Sequence, residues 1–417
     1  MRTSPPLYDR VLLRPINLRC AALYTAVAVV LCAVYSSPAR AQDIAEMQEQ
    51  VASIFAQSCA QVGCHTGSDA QMGMSLEGET FIGHTVSEPS RERPELDLID
   101  PGNPEGSYLL MKVRGNEDIV GAPMPFSGNR LSEQEIEAIE NWVNALADVD
   151  VEALKQGTPA KSAHPFDGWK VVNVPTTRMV DRGLWLFLIS HRFEPEIARG
   201  YEAFFGLDGS SIIFLNLGFA PTDDLLFILG RSNESDNVEL QAKYRFVQQT
   251  SGPAMPVSLA AQATVNWITE RASGEDRLRS EAFKFGGQLI ASRDVGGKVG
   301  LLVAPGILMN QSESLNGEDV LITLGLGARW RFHQNLSLLA EWVPILKGYE
   351  RTTTFGNLNR FDSWGGGFEI AVGGHVFQIV VTNSAGMTTD QYMRGGDLDV
   401  TERDMRLGFN IFRLLQF

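Results

Sequence analysis

Cysteine is almost absent from this chain. Only Cys20, Cys32, Cys59 and Cys64 occur in 417 residues, too few for a disulfide scaffold or a zinc cluster. Positive charge is scarce too: 35 Lys and Arg stand against 50 Asp and Glu, a net −15. An acidic surface of that kind speaks against nucleic acid as a partner. Hydrolytic triads and phosphate-binding glycine loops are missing as well. What is present falls into four stretches of different character.

Residues 1–41 read as a secretory signal. Arg2, Arg10, Arg14 and Arg19 form a positive start, Cys20 to Tyr35 is an apolar run, and Ala39-Arg40-Ala41 is a small-x-small cleavage signal before Gln42. The run is short for a bilayer span, so cleavage is expected rather than retention as an anchor. Export leaves Cys59 and Cys64 as the cysteines of the mature chain. The acidity then concentrates in residues 42–150, which hold 5 basic and 20 acidic residues, against 25 and 29 in residues 151–417. A basic protein met by electrostatic steering suits the first of these surfaces.

Cys59-Ala60-Gln61-Val62-Gly63-Cys64-His65 organises residues 42–150. Two thiols followed at once by an imidazole are the means of attaching a c-type haem, through two thioethers and a proximal histidine. The usual motif has two residues between the cysteines; four stand here, while Cys64-His65 keeps its normal relation. A small disulfide loop is the competing reading in an oxidising compartment, although it gives no reason for the histidine. Ile44, Met47, Val51, Ile54 and Phe55 recur at helical spacing before the motif. Ser132-Glu133-Gln134-Glu135 is a capping box opening a second helix, with Ile136, Ile139, Trp142, Val143 and Leu146 on one face.

Between these helices lie Pro101-Gly102-Asn103-Pro104-Glu105-Gly106-Ser107-Tyr108-Leu109-Leu110 and then Ala122-Pro123-Met124-Pro125. The order of these segments resembles the class I cytochrome c domains of planctomycete-type and related bacterial proteins. The resemblance implies a small all-α monohaem cytochrome c domain at 42–150, carrying one covalent haem c. It makes Cys59 and Cys64 the attachment points, His65 the proximal ligand and Met124 the distal one. Met72 and Met74 sit too close to the motif to reach the opposite haem face. Met111 falls in a short helix and reads as core, and His84 reads as a solvated loop residue. Six-coordinate iron leaves no open position, so the domain is expected to carry electrons rather than to act as an enzyme.

Residues 151–177 lack a sustained period and are expected to form a linker, with a short strand at Lys170 to Val174 and His164 as a loop residue. From 178 to 417 the period becomes two. Val238, Leu240, Ala242, Tyr244 and Phe246 alternate with Glu239, Gln241, Lys243 and Arg245. About twelve such segments start near Leu184, Ser211, Leu225, Val238, Val257, Ala282, Lys298, Val320, Leu336, Ser363, Val376 and Asp404. Short connections (Pro221 to Asp224, Asp294 to Gly297, His333 to Asn335, Gly373-Gly374) alternate with long ones (Glu194 to Gly209, Trp267 to Glu281, Ile345 to Asp362, Ser384 to Arg403). That asymmetry predicts an antiparallel transmembrane β-barrel of about 12 strands in the bacterial outer membrane, against outer-membrane lipid. A soluble β-sandwich is the alternative, but its strands are shorter and its turns do not alternate in this way. Lys243, Arg245, Arg329 and Arg331 are expected in the lumen near the periplasmic mouth, either as a seat for the acidic domain or as ordinary lumen polarity. His191 and His375 read as strand-end residues.

"LISHRF" (Leu188 to Phe193), "GLDG" (Gly206 to Gly209), "ILGRS" (Ile228 to Ser232), "GGHVFQIVVTNSAGMT" (Gly373 to Thr388) and "RLGFNIFR" (Arg406 to Arg413) resemble an uncharacterised family of bacterial outer-membrane β-barrels. That resemblance speaks to architecture. Together the parts predict electron transfer by a periplasmic haem at an outer-membrane barrel, with a periplasmic redox protein as partner. The alternative is a porin-like transport or structural barrel in which residues 42–150 serve as plug, sensor or docking module.

Overall fold

The computed structural model describes residues 38–61, 63–67, 70–78, 80–126, 130–156, 163–250, 255–271, 274, 276–310, 319–348, 361–372, 374–402 and 404–416. Most of the expected signal sequence, residues 1–37, lies outside them. None of the described helices is long and apolar enough to cross a membrane.

The N-terminal part is helical: α1 (Pro38–Ser58), α2 (Thr80–Thr85), α3 (Tyr108–Arg114), α4 (Glu133–Ala145) and α5 (Val151–Lys155). The apolar stripes read from the sequence meet in one core, where Val51, Ile54 and Phe55 of α1 pack with Ile139, Trp142 and Val143 of α4. Phe81 of α2 stands edge-on to both Phe55 and Trp142, at centroid distances of 5.3 and 5.4 Å, the arrangement that the aromatic quadrupole favours. The capping box forms as expected. Ser132 Oγ accepts from the Glu135 amide, and the Glu135 carboxylate accepts from the Ser132 amide at 2.7 Å.

The strands are β1 (Trp185–Glu196), β2 (Ser211–Thr222), β3 (Leu225–Ser232), β4 (Asn237–Val247), β5 (Ser258–Ile268), β6 (Phe283–Val295), β7 (Val299–Met309), β8 (Val320–His333), β9 (Leu336–Val343), β10 (Ile345–Lys347), β11 (Ser363–Val372), β12 (His375–Thr382) and β13 (Arg406–Leu415). All but β10 pair antiparallel with their neighbours in order, and β13 returns to β1 from Trp185↔Leu415 to Glu196↔Arg406. Twelve strands therefore close a barrel. β10 is an addition of three residues beside β8. Eleven of the twelve strand starts fall within one residue of those read from the alternation, and the twelfth, Asp404, lies two residues ahead of β13.

The burial pattern is that of a soluble protein turned inside out. On β4, Glu239, Gln241 and Lys243 are almost wholly enclosed, whereas Leu240 and Tyr244 are about half exposed. Apolar side chains facing outward and polar ones facing the lumen are what a membrane-spanning barrel requires. The connections at the mouth nearest residues 42–150, the near mouth, are mostly short; those at the far mouth are mostly long.

Candidate functional site

The lumen is filled, and the filling defines the site. The chain expected to be a linker does not run free: from Phe166 to Val180 it enters the barrel through the near mouth as a tongue. Phe166, Trp169, Val171, Val172, Asn173, Val174, Thr176 and Thr177 are all at most 2 % exposed. The expected strand at Lys170 to Val174 is instead one arm and the tip of a tight hairpin. Lys170 bridges to Pro175, and the Val171 amide donates to the Val174 carbonyl at 2.9 Å. A segment without apolar period is stable here because the barrel wall supplies the hydrogen-bond partners that water would otherwise give.

Glu341 on β9 holds the tip. Its carboxylate accepts the amides of Val172 (2.8 Å), Asn173 (2.9 Å) and Val174 (2.9 Å), so three consecutive N–H groups converge on one anion. Arg192 on β1 donates to Asn173 Oδ1 at 3.1 Å, and Asn410 on β13 donates to the Val172 carbonyl at 3.0 Å. Gln378 on β12 caps the Lys170 carbonyl at 3.0 Å. Lys243 on β4 donates to the carbonyls of Thr176 (3.1 Å) and Arg178 (2.7 Å). The tongue is thus tied to strands all around the barrel.

A second segment enters from the far mouth. The β12–β13 connection, expected as an outer loop, folds inward and carries α6 (Thr389–Met393), whose Tyr392 and Met393 are buried. Glu239 accepts the Thr389 amide at 2.6 Å, Asn237 donates to Asp390 at 2.9 Å, and Tyr392 donates to Gln288 at 2.7 Å. Val171, Val174, Tyr392 and Met393 share one apolar cluster with Leu302, Leu339 and Val343 of the wall. Lys170 Nζ reaches the Met387 carbonyl at 3.3 Å. The two insertions therefore meet inside the barrel.

Lys243, Arg329 and Arg331 anchor the tongue instead of presenting an open basic seat to the acidic domain, while Arg245 pairs within the barrel. Arg331 holds Asp167 through both carboxylate oxygens at 2.6 and 2.8 Å, and Arg329 pairs with Asp294 at 3.1 Å. Burial pushes the Asp167 carboxyl up, but Arg331 and Arg329 outweigh it and hold the group well below the usual carboxylate range. Arg245 pairs with Asp224 at 2.8 Å. His375, at the start of β12 as expected, stacks on Phe377 at 6.0 Å; His191, expected at a strand end, lies in the middle of β1 and stacks on Phe409 at 4.7 Å.

The turn after α1 gathers three of the four residues singled out in the sequence. The His65 amide donates to the Cys59 carbonyl at 3.2 Å, and the Cys64 amide to Gln61 at 2.8 Å. Cys59 and Cys64 are not joined to each other by a disulfide. Burial, with Cys64 adding to it, pushes the Cys59 thiol up to about 12. The ring of His65 lies 3.2 Å from the Met74 carbonyl through Nδ1. A carbonyl only accepts, so Nδ1 carries the proton toward Met74, and the Gln71 backbone bonds the ring as well. A proximal haem ligand needs the proton on Nδ1. Met124 lies apart, on the loop after α3, its amide donating to the Lys112 carbonyl at 2.9 Å. Lys112 Nζ and the Tyr108 hydroxyl fix the same loop at Val120, at 2.8 and 3.0 Å. Among the described residues no group of three His, Cys, Asp or Glu side chains forms a metal cluster. His84 lies on α2, where its Nδ1 accepts the Ser75 amide at 3.1 Å, rather than in a solvated loop.

The residues that sequence reading missed are Glu341, Arg192, Gln378 and Asn410. Each is a polar side chain at a lumen-facing position, and that parity was the available signal. Nothing in the sequence names the partner it faces.

Residues 166–415, which include the whole tongue, match the model of a family described as "Membrane bound beta barrel domain (DUF5777)". Among solved structures, a NanC porin is 6 % identical with a TM-score of 0.34, over 56 % of this chain and 99 % of that one. An outer membrane channel from Pseudomonas putida F1 is 13 % identical with a TM-score of 0.33, over 57 % and 98 %. LpxR from Salmonella typhimurium is 12 % identical with a TM-score of 0.28, over 56 % and 100 %. No curated protein matches the chain.

Proposed function

Since the chain belongs to this family of membrane-bound β-barrel domains, we propose that it is a porin-like outer-membrane barrel kept shut by its own tongue, with residues 42–150 as the module that holds or releases it. The observation that carries this reading is the grip of Glu341 on three consecutive tongue amides. A carboxylate accepting several amides is a strong and local attachment, and it is made by a wall residue to a segment that a larger pull can withdraw. The test is conductance in planar bilayers. Wild-type protein is expected to be silent, whereas a chain in which residues 166–180 are replaced by a Gly/Ser linker of equal length is expected to conduct steadily. Equal conductance from both would defeat the proposal.

A second reading is favoured by the His65–Met74 contact, which sets the imidazole as a haem ligand needs it. In this reading residues 42–150 carry one haem c, with thioethers at Cys59 and Cys64, His65 proximal and Met124 distal. The group, when bound, takes up and gives back one electron. The chain's own part is to orient the His65 ring, to shield the attachment turn with the α1–α4 core, and to offer an acidic face to a basic periplasmic carrier. Protein matured with the c-type haem machinery is expected to show a covalent low-spin spectrum that loses its methionine–iron band in Met124→Ala. A spectrum unchanged by the substitution removes Met124 from the ligand set.

A further inference from the structure

A cavity of about 250 Å³ lies where three parts of the molecule meet: the turn after the cysteine motif, the entering end of the tongue, and the near-mouth turns of the barrel. Gly73 and Arg91 line it from the helical domain, Asp167 and Arg178 from the tongue, Asp294 and Arg331 from the barrel. The contact at this seam is close. A Cβ on Gly374, in the β11–β12 turn, would stand 2.8 Å from Gly63 Cα, so a side chain there would push the cysteine loop off the barrel.

The charges in the cavity do not cancel. Asp167 and Asp294 are both engaged by Arg331 and Arg329. Arg178 lies over the Trp169 ring at 4.2 Å. Arg91 makes no hydrogen bond or ion pair among the described residues, although it reaches across Gly73 into the cavity. Its side chain is exposed as well as lining the cavity. Burial and then repulsion from Arg331 press its guanidinium below the ordinary value. Asp167 and Asp294 attract it, but both are already paired with Arg331 and Arg329, so Arg91 has no carboxylate of its own and its planar fork suits one.

We propose that this cavity is a carboxylate-binding site that ties the helical domain to the tongue through Arg91 and Arg178. The carboxylate comes either from a small free dicarboxylate or from the propionates of a haem attached at Cys59 and Cys64. A bound anion joins the two parts whose separation would free the tongue, so the site deepens the plug reading and rests on it for its consequence, though not for binding itself.

The experiment is calorimetric titration of succinate into the full chain in detergent, prepared with and without covalent haem, for wild type, Arg91→Gln and Arg178→Gln. Wild type without haem is expected to bind, and each substitution to weaken binding at least tenfold. Binding that persists after haem loading assigns the site to a free dicarboxylate. Binding abolished by haem loading, with the reduction potential shifted in Arg91→Gln, assigns it to the propionates. No binding by haem-free wild type, or equal binding by wild type and both variants, overturns the proposal. A protein that binds succinate yet conducts like the tongue-less chain would sink the plug and leave the site; a silent barrel without succinate binding does the reverse.

Discussion

Glu341 shows how much one side chain can decide. Its carboxylate takes three amides in a place closed to water, where hydrogen bonds to a charged group contribute about 1.5–3 kcal/mol each. Glu341→Gln keeps the shape and removes the charge. Hydrogen exchange at Val172 to Val174 is expected to speed up by roughly ten- to a hundredfold, at about 1.4 kcal/mol per factor of ten, while amides in β4 keep their protection; unchanged exchange at the tip would mean that Glu341 holds nothing. Asp167 makes the pH-dependent contact. Its folded carboxyl titrates below its ordinary 3.8, so its stabilisation is complete above about pH 4 and is lost as pH falls through the depressed value. Asp167→Asn is therefore expected to loosen the tongue at pH 7, with the gap to wild type closing as the medium is acidified below 3.8; a gap that widens would contradict the assignment. At this scale the sequence was half legible. Cys59, Cys64 and His65 announce themselves by adjacency, and the structure brings them into one turn. Glu341, in a run that reads Leu336-Ser337-Leu338-Leu339-Ala340-Glu341-Trp342-Val343, shows only that it faces inward.

At the scale of elements the strands were the legible part. Alternation is a local property of the chain, and a membrane enforces it on both faces of every strand, so β4 and β8 are visible without any knowledge of their neighbours. The same logic makes the outward face intolerant of charge. Leu240, near the middle of β4 and 51 % exposed, is expected on substitution by arginine to lower stability in lipid by about 2–4 kcal/mol, read as the denaturant midpoint of the folded barrel. A loss below about 0.5 kcal/mol would place that face in water. The α4 capping box was equally readable, being a contact within four residues. The tongue was not. Residues 151–177 look like a tether because nothing in them repeats, and their order in the folded chain is lent by Arg192, Lys243, Glu341, Gln378 and Asn410, between 19 and 238 positions away. The inward fold of α6 was hidden for the same reason: a long connection between strands carries no mark of the side on which it settles.

For the whole molecule, the division of charge now has a place. The acidic excess lies in residues 42–150, and where that domain meets the barrel the cavity carries the opposite sign. The family match begins at residue 166, so the tongue belongs with the barrel and the helical domain is joined ahead of it. Both ends of the tongue are pinned at the same rim. At one end the Ala163 amide donates to the Gln249 carbonyl at 2.9 Å; at the other the Arg182 amide donates to Asp223 at 2.8 Å and the Gly183 amide to Ala220 at 2.7 Å. A hairpin anchored in this way has a definite mechanical response. Tension applied through the helical domain, directed away from the membrane, loads the contact at Ala163 first, then Asp167, then Lys170, and arrives at Glu341 only after those have parted. The plug would peel open one contact after another under a small force, whereas a rod spanning the lumen would have to shear all of them at once.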